Sequence, residues 1–370
     1  MSVHDLADYP WDAVVPFRER AARHPDGLVD LSVGSPVDPT PELIRAALRD
    51  ATDAHAYPQT VGTPALREAI VDWYARRRGV DDLTVDNVLP TIGSKELVAL
   101  LPTLLGLGDG DTVVHPRVAY PTYEVGARVA GATPLAVDEP EAWPEGTKLI
   151  WINSPGNPDG RTWTVEELAA AVRRARELGA VLASDECYAE LGWDGQWATE
   201  PIPSILDPRV TGGSRANLLS VYSLSKQSNL AGYRAAFLAG CAVVVAELLT
   251  ARKHLGLMPP APVQHAMAVA LGDDEHVATQ KELYRVRREV LRPAVEAAGF
   301  RIDGSEAGLY LWATEGRDAW VSIDRLADLG ILAGPGPFYG DHSSEHIRFS
   351  LTAPTERIDE AARRLRDAAL

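Results

Sequence analysis

The chain has 370 residues, of which 46% are hydrophobic, so it can form one large domain or two modest ones around a sizeable core. Its 36 basic and 52 acidic side chains give a formal net charge of −16, which argues against a partner such as nucleic acid or an anionic membrane. Its two cysteines, Cys187 and Cys241, are too far apart for a disulfide framework or a zinc-binding pair.

The beginning of the chain predicts an arm followed by two helices. Six prolines between residues 10 and 41 interrupt any long helix, and residues 1–11 are too polar for a signal peptide. Thr40 is a good N-cap for a helix running to residue 48, and Thr63 is a good N-cap for a second helix running to residue 78. Tyr57 lies in the loop between these helices.

From residue 88 onward, apolar strand-like runs alternate with helices, and Thr164 and Glu167 form a capping box for a helix that Gly179 ends. This alternation predicts an α/β fold with a mostly parallel sheet, in which ligands bind at the carboxyl ends of the strands. No apolar run is long enough to span a bilayer, so no membrane partner is expected. The strands are expected at residues 112–115, 135–137, 148–153, 180–184, 218–222 and 236–239.

After about residue 256 the pattern changes to a long helix over residues 262–298, and then to short strands and helices. The strands are expected at residues 308–313 and 346–351, and the helices at 322–329 and 355–370. This α+β pattern predicts three parts. They are an N-terminal arm (1–40) that contributes to the small domain, a large cofactor-binding domain (41–255) and a small C-terminal domain (256–370).

The most informative stretch lies where the strand over residues 217–222 ends. Lys226 follows that buried strand, and an ammonium group is costly to bury without a partner. One role for such a lysine is to form a Schiff base with a carbonyl group. The hydroxyls of Ser223 and Ser225 and the guanidinium of Arg234 suit a phosphate. The combination suggests pyridoxal phosphate.

Other polar groups collect at the ends of neighbouring strands. Asn157 stands in a turn rich in Asn, Pro and Gly, and Asp185 and Tyr188 follow a buried strand. Either segment could be an ordinary exposed turn. An acid in this position could instead match a pyridine nitrogen. Arg348, inside an apolar strand, could pair with a structural acid or bind a substrate carboxylate through two hydrogen bonds.

Two further segments offer weaker signals. Gly93, Ser94 and Lys95 begin a helix, and the backbone N–H groups at such a helix start bind phosphate well. Tyr120 offers an aromatic face for stacking, although packing in the core or in a loop is the commoner role of a tyrosine.

Taken together and in this order, these elements resemble the class I/II aminotransferases of pyridoxal-phosphate fold type I over nearly the whole chain. The Ser-x-Ser-Lys…Gly-x-Arg element is the most specific part, and the Asn-x-Pro-x-Asn-Pro-x-Gly and Asp-Glu-x-Tyr elements support it. The resemblance implies a large domain with a seven-stranded, mostly parallel sheet between helices, and a smaller α+β domain. It also implies a homodimer with shared active sites, acting on small amino acids and keto acids. The cysteine usage and the polar first residues predict a reducing, cytoplasmic compartment.

The resemblance assigns catalytic roles to Lys226, Asp185 and Tyr188. Lys226 would hold the cofactor and move a proton, and Asp185 would pair with the ring nitrogen. Asn157 and Tyr188 would hydrogen-bond the ring oxygen, and Asn157 would also contact the substrate. Arg348 would bind the α-carboxylate, with the backbone of Gly34 closing over it. The remaining cofactor contacts would be Tyr120 on the ring, Gly93, Ser94, Lys95, Ser223, Ser225 and Arg234 at the phosphate, and Tyr57 at the partner subunit's phosphate.

Some motifs are similar to a narrower group, the actinobacterial succinyldiaminopimelate aminotransferases of lysine biosynthesis. These are Tyr9-Pro10-Trp11-Asp12, residues 30–39 and residues 225–234. This similarity implies an exchange of amino groups between glutamate and N-succinyl-2-amino-6-oxopimelate. The alternatives are another dicarboxylic, aromatic or alkyl amino acid, or a lyase or decarboxylase reaction on the same fold.

Two motifs point to other enzyme classes. Ser223-Leu224-Ser225-Lys226 also spells the Ser-x-x-Lys nucleophile motif, but the Ser-Asp-Asn and Lys-Thr-Gly motifs that accompany it are not present in the sequence. His342 and His346 match an inverted zinc motif, which requires a helix. We expect a polar loop there instead, and no metal site.

Overall fold

The computed structural model describes residues 10–368, so Tyr9 of the first motif and the last two residues of the predicted C-terminal helix lie outside the described residues. Over the described range the chain forms twelve strands and thirteen α-helices. The strands are β1 Val29–Leu31, β2 Val88–Ile92, β3 Thr112–His115, β4 Thr133–Ala136, β5 Thr147–Asn153, β6 Val181–Asp185, β7 Leu218–Ser223, β8 Ala235–Gly240, β9 Arg301–Ile302, β10 Tyr310–Thr314, β11 Ile331–Pro335 and β12 His346–Ser350. The helices are α1 Val15–Ala21, α2 Glu42–Asp50, α3 Pro64–Arg78, α4 Ser94–Leu104, α5 Thr122–Ala130, α6 Val165–Leu178, α7 Pro208–Thr211, α8 Leu224–Gln227, α9 Ala242–Leu255, α10 Ala261–Leu271, α11 Glu275–Ala297, α12 Ala319–Asp328 and α13 Thr355–Asp367.

The larger of the two sheets, called here the large sheet, has the strand order β2-β8-β7-β6-β5-β3-β4 among the described residues. β8 is antiparallel to both of its neighbours, and the other pairs are parallel. Alternate residues of β5 enter the two apolar cores on opposite faces of the sheet, Ile150 on one face and Leu149 and Trp151 on the other. The predicted α/β fold with a mostly parallel seven-stranded sheet is therefore confirmed.

The second sheet, called here the small sheet, has the order β1-β11-β12-β10-β9 among the described residues. Its strand β1 comes from the arm and pairs in parallel with β11, with Val29 opposite Ile331. Neither β1 nor β11 is predicted from the sequence. β1 is only three residues long, and it is held mainly by its pairing with β11, a distant segment of the chain. The division of the chain at residues 40 and 255 stays a prediction.

Two local predictions about helices are wrong. Thr40 does not cap α2, because Pro41 occupies the N-cap position and the Thr40 hydroxyl donates to the carbonyl of Asn229 at 3.1 Å. The predicted helix over 262–298 is divided into α10 and α11 by residues 272–274. In that break the Asp273 carboxylate accepts a hydrogen bond from the backbone N–H of His276 at 2.9 Å, which satisfies an N–H group at the start of α11.

Several other local predictions are confirmed. Thr63 caps α3, and Thr164 and Glu167 form their reciprocal pair at the start of α6. His342 lies in a 3-10 turn and His346 begins β12, so the segment is not the helix that a zinc motif needs. Within residues 10–368 no helix is both long enough and apolar enough to cross a membrane.

Candidate active site

The large sheet brings three predicted site segments to one edge. Asn153 at the end of β5 pairs with Asp185 at the end of β6, and β7 lies beside β6 in the same direction. The turn that carries Asn157 and the single-turn helix α8 that carries Lys226 begin directly after these strands. Parallel pairing thus places segments that are distant in sequence side by side at the carboxyl edge, where α/β sheets bind ligands.

Lys226 is contacted at both ends. Its ammonium group donates to the carbonyl of Gly34 in the arm, and its own carbonyl accepts from the Tyr284 hydroxyl at 3.3 Å. Burial lowers the pKa of Lys226; Tyr310 opposes the shift, and the positive charges of Arg348 and Arg234 add to it. A lysine in these surroundings can lose its proton and act as a nucleophile or a base.

Asp185 is a buried acid whose partners are neutral. Its carboxylate accepts hydrogen bonds from the Tyr123 hydroxyl at 3.0 Å and from the backbone N–H of Cys187 at 3.2 Å. No lysine or arginine of the described chain forms an ion pair with it. Burial raises the pKa of Asp185. A positively charged ring nitrogen would supply the charge that this carboxylate lacks.

Glycine, arginine and serine form an anion-binding corner nearby. Gly93 precedes α4 with a φ of +75°, and a Cβ atom on it would lie 2.2 Å from Nη2 of Arg234. The guanidinium therefore lies directly across the start of α4, where backbone N–H groups favour an anion. The hydroxyl of Ser223 donates to that of Ser225 at 2.8 Å. This arrangement of donors fits a phosphate group.

Three more residues of the predicted phosphate and ring contacts, Ser94, Lys95 and Tyr120, lie at the same corner. Ser94 is the first residue of α4, and the exposed Lys95 follows it. The Lys95 ammonium lies 5.9 Å from the centre of the Tyr120 ring. Tyr120 in turn packs edge-to-face on Tyr123, the residue that bonds Asp185.

Arg348 on β12 is 4% exposed and has no acidic partner within the described chain. Its Nη1 donates to Oδ1 of Asn157 at 2.8 Å and its Nη2 to the carbonyl of Ser32 at 2.7 Å, while its Nε has no partner. The guanidinium lies 3.9 Å from the centre of the Tyr310 ring. Pairing with a structural acid, one of the two sequence interpretations, is therefore wrong, and the geometry suits the binding of a carboxylate from outside.

Tyr310 on β10 was not among the predicted residues. Its hydroxyl lies 3.1 Å from that of Tyr188, and a Cβ atom on Gly34 would lie 2.0 Å from the same oxygen. The sequence places Tyr310 in a predicted strand. The sequence does not indicate that β10 pairs with β12, and it is this pairing that brings Tyr310 next to Arg348.

Tyr57 is not brought to this group within one chain. It is 97% exposed and lines a surface hollow of about 430 Å³ together with residues of α2 and α10, among them Asp50 and His265. The role of Tyr57 at a partner subunit's phosphate stays a prediction.

A polar face of α11 contacts Lys226 and the residues after it, and no sequence motif indicates this face. We call His276, Gln280, Tyr284 and Arg287 the α11 polar face; they are three or four residues apart and so lie along one side of the helix. Tyr284 bonds the carbonyl of Lys226, as described above. The other three hold the residues after Lys226 and the arm.

Gln280 connects these two segments. Its Oε1 accepts from Nδ2 of Asn229 at 2.7 Å, and its Nε2 donates to Oδ2 of Asp38 at 2.8 Å. Arg287 also binds Asp38, with its Nη1 2.8 Å from the same oxygen. The turn after Lys226 and the arm are therefore fixed by one helix.

Ser228, His276 and Asp273 form a chain of hydrogen bonds that resembles a hydrolase triad. Oγ of Ser228 lies 2.8 Å from Nε2 of His276, whose Nδ1 lies 2.7 Å from Oδ2 of Asp273. Ser228 has no exposed surface, so no substrate reaches its hydroxyl. These three residues therefore position the lysine turn.

The residues at the carboxyl edge fit a phosphorylated pyridine aldehyde. Among residues 10–368 they provide an anion-binding corner, a buried acid without a cation, a lysine of lowered pKa and a buried guanidinium without a carboxylate. Each of these groups lacks the partner that such a cofactor or its amino-acid substrate would provide.

The comparison with known proteins gives a consistent result. The family model described as aminotransferase class I and II matches residues 26–365. The transaminase OxyQ of Streptomyces rimosus, which acts on 4-dedimethylamino-4-oxo-anhydrotetracycline, is 53% identical over 98% of this chain and 100% of its own. A probable aminotransferase of Mycobacterium tuberculosis is 52% identical over 97% of this chain and 85% of its own. An LL-diaminopimelate aminotransferase of Aquifex aeolicus is 36% identical over 93% of this chain and 92% of its own.

Solved structures have the same fold. A mutant of the aspartate aminotransferase of Thermus thermophilus has a TM-score of 0.87 and 26% identity, covering 100% of this chain and 99% of its own. A probable N-succinyldiaminopimelate aminotransferase of the same species has a TM-score of 0.86 and 29% identity, covering 97% of this chain and 99% of its own.

Proposed function

The chain belongs to the class I and II aminotransferases, which depend on pyridoxal phosphate, and from that premise we propose that it moves the amino group of glutamate to a keto substrate at the carboxyl edge of the large sheet. One observation carries this proposal. Lys226, with its lowered pKa, and Arg348, which has no acidic partner in the part of the chain that the structure describes, bind neighbouring carbonyls of the arm, those of Gly34 and Ser32. A substrate held by its carboxylate on Arg348 would present its Cα to the lysine.

When bound, the cofactor supplies an electron sink for the carbanion that forms at the substrate's Cα. Asp185 keeps the ring nitrogen protonated, and Asn157 and Tyr188 hydrogen-bond the ring oxygen. Nζ of Lys226 would take the proton from Cα as general base and, as general acid, pass it to the cofactor and not back to Cα. Arg348 fixes the orientation of the substrate.

The remaining proposed contacts hold the cofactor in place. Tyr120 covers one face of the ring. The phosphate is bound by Gly93, Ser94, Lys95, Ser223, Ser225 and Arg234, and by Tyr57 of a second subunit. We therefore also propose a homodimer with shared sites. The two cysteines of each chain, Cys187 and Cys241, are both free. This supports the further proposal of a reducing, cytoplasmic compartment.

For the substrate, we propose N-succinyl-2-amino-6-oxopimelate in diaminopimelate and lysine biosynthesis. The motifs over residues 30–39 and 225–234 support this substrate, as do the LL-diaminopimelate aminotransferase relative and the similar Thermus structure. A second candidate is a bulky ketone of the kind named for OxyQ. The 53% identity over the full length of that protein favours it.

The test uses the visible absorption of the purified holoenzyme. We expect glutamate to bleach the cofactor band and 2-oxoglutarate to restore it, with the succinylated keto acid accepting the amino group in steady turnover. Turnover with a polycyclic ketone, but not with the succinylated acid, would select the second candidate. Steady release of keto acid beyond one equivalent per site without any amino acceptor would show a lyase instead, and a band that glutamate leaves unchanged would contradict glutamate as the donor.

A further inference from the structure

Tyr310 contacts three groups that the proposed reaction uses, Arg348, Tyr188 and Gly34, although the sequence motifs do not include it. It is 4% exposed and stands on β10, where it pairs with Ser350 of β12. Arg348 is two residues from Ser350 and so lies diagonally across from Tyr310 on the same face of the small sheet. This register explains why the guanidinium stacks on the tyrosine ring, 3.9 Å from its centre.

The hydroxyl of Tyr310 contacts the other two groups. It is 3.1 Å from the hydroxyl of Tyr188, and the backbone of Gly34 packs so closely on it that a Cβ atom would overlap it. Gly34 in turn accepts the hydrogen bond of Lys226. One hydroxyl therefore touches both the arm and the proposed ring-oxygen donor.

The proton count on the two tyrosines fixes the direction of their hydrogen bond. Each hydroxyl has one proton. If Tyr188 gives its proton to the cofactor's ring oxygen, as proposed, Tyr310 must donate to the oxygen of Tyr188. A hydroxyl that accepts a hydrogen bond becomes a stronger donor itself.

We propose that Tyr310 is a positioning residue with two separable actions: its hydroxyl holds and polarises the Tyr188 hydroxyl, and its ring holds the Arg348 guanidinium for the substrate carboxylate. The inference rests on the proposed function, because it assumes that Tyr188 and Arg348 face cofactor and substrate. The surroundings agree with a donating hydroxyl. Burial opposes ionisation of Tyr310, but the positive charges of Arg348 and Lys226, together with the hydrogen bond to Tyr188, outweigh it and leave the pKa of Tyr310 below its ordinary value.

The first test removes the hydroxyl alone in the holoenzyme. For Tyr310→Phe we expect kcat to fall about tenfold, because the free energy of one hydrogen bond to a reacting group corresponds to about a tenfold change in rate. We also expect the pH midpoint of the visible band to rise by about half a unit to one unit, because a weaker donor stabilises the deprotonated ring oxygen less. The affinity for glutarate, a non-reactive carboxylate, should stay the same by calorimetry.

The second test removes the ring as well. Tyr310→Leu should weaken glutarate binding about fivefold relative to Tyr310→Phe, because the guanidinium loses its stacking partner. A double-mutant cycle tests whether Tyr310 acts on kcat and on the spectral midpoint through Tyr188. If Tyr310 acts through it, Tyr310→Phe should have little further effect on kcat or on the midpoint in a Tyr188→Phe background.

A matched control separates positioning from packing. Tyr74 is a buried tyrosine whose hydroxyl donates to that of Ser220 at 2.8 Å, in the core of the large sheet. Tyr74→Phe should lower the unfolding midpoint in urea but leave kcat, the spectral midpoint and glutarate affinity unchanged.

Two outcomes would overturn the inference. One is a Tyr310→Phe enzyme that matches wild type in kcat and spectral midpoint; the other is an undiminished effect of Tyr310→Phe in the Tyr188→Phe background. Failure of the proposed function would look different, because the wild type itself would then show no band that responds to glutamate.

Discussion

At the scale of single residues, the burial of Lys226 lowers the stability of the folded chain. Replacing it by Met in protein freed of cofactor removes a group whose charged form is disfavoured by burial, although it also removes the hydrogen bond to Gly34. We expect Lys226→Met to raise the free energy of unfolding by about 1 kcal/mol near neutral pH, measured by urea unfolding.

The pH dependence of that gain has a definite sign. The pKa of Lys226 is lower in the folded chain than its ordinary value of 10.5, so the unfolded chain binds more protons between the two values. Wild-type stability therefore rises with pH in that window, and the advantage of Lys226→Met should shrink as pH approaches 10.5. The exposed Lys253→Met serves as control and should show neither the gain nor the trend.

Arg348 offers a prediction about substrate binding. Arg348→Gln should raise KM for glutamate about a hundredfold, since one partner of a buried charge pair is lost. A primary amine without an α-carboxylate should react equally slowly with both enzymes. A rise in KM below threefold for glutamate would show that the carboxylate binds elsewhere.

Three of the site residues predicted from the sequence share one property. Lys226, Asp185 and Arg348 are charged groups next to or inside apolar strands, and such burial is costly enough to be informative. Tyr310 and Ser228 carry no such signal. Tyrosine and serine are common in strands and turns, and their contacts with Tyr188 and His276 arise only from the tertiary fold, over 122 and 48 residues of sequence.

At the scale of elements, the capping box of α6 can be tested directly. The Thr164 hydroxyl accepts from the N–H of Glu167 at 3.2 Å, and the Glu167 carboxylate accepts from the N–H of Thr164 at 2.8 Å. Thr164→Ala should lower the free energy of unfolding by about 1 kcal/mol. Thr164→Ser keeps the acceptor and should keep most of the stability, and equal losses in the two variants would contradict the capping role.

Element ends could be predicted where the signal is local and not where a distant group competes. Thr63 and Thr164 cap the helices that follow them, as predicted. Thr40 has the same local sequence signal, but its hydroxyl bonds Asn229 instead. Gly272 and Asp273 are a local signal for the break between α10 and α11. The helical spacing of apolar residues continues on both sides of the break, so one uninterrupted helix is predicted there instead.

At the scale of the whole molecule, the proposed sharing of sites predicts complementation between two inactive variants. Lys226→Ala and Tyr57→Ala should each be strongly impaired as homodimers. When their subunits are mixed and allowed to exchange, half of the dimers are mixed, and each mixed dimer has one intact site. Roughly a quarter of wild-type sites should therefore return.

Activity that stays at the sum of the two variants, with exchange verified by mass spectrometry, would contradict a shared site. A monomer by light scattering would contradict it as well. An exchange of Lys226→Ala with wild type controls for dilution and should give no gain beyond the wild-type share.

The sheet class could be predicted from alternating apolar strands and helices, but the strand order could not. β8 runs antiparallel to its neighbours. β1 joins the small sheet from the arm, with Val29 lying 302 residues before its partner Ile331 in β11. Pairing over such distances depends on register and packing energies that no local pattern contains.

The α11 polar face has a consequence for how this chain could acquire a new substrate. Residues 35–37 of the arm are fixed on both sides, by the contacts of Gly34 with Lys226 and Tyr310 and by those of Asp38 with Gln280 and Arg287. Ser35 and Val37, which lie between these two residues, are exposed and take no part in the contacts that fix the arm. A combinatorial library confined to residues 35–37 can therefore vary the entrance to the site while the lysine turn keeps its position. A graft from a relative that reaches residue 38 has to bring matching residues at 229, 280 and 287 with it.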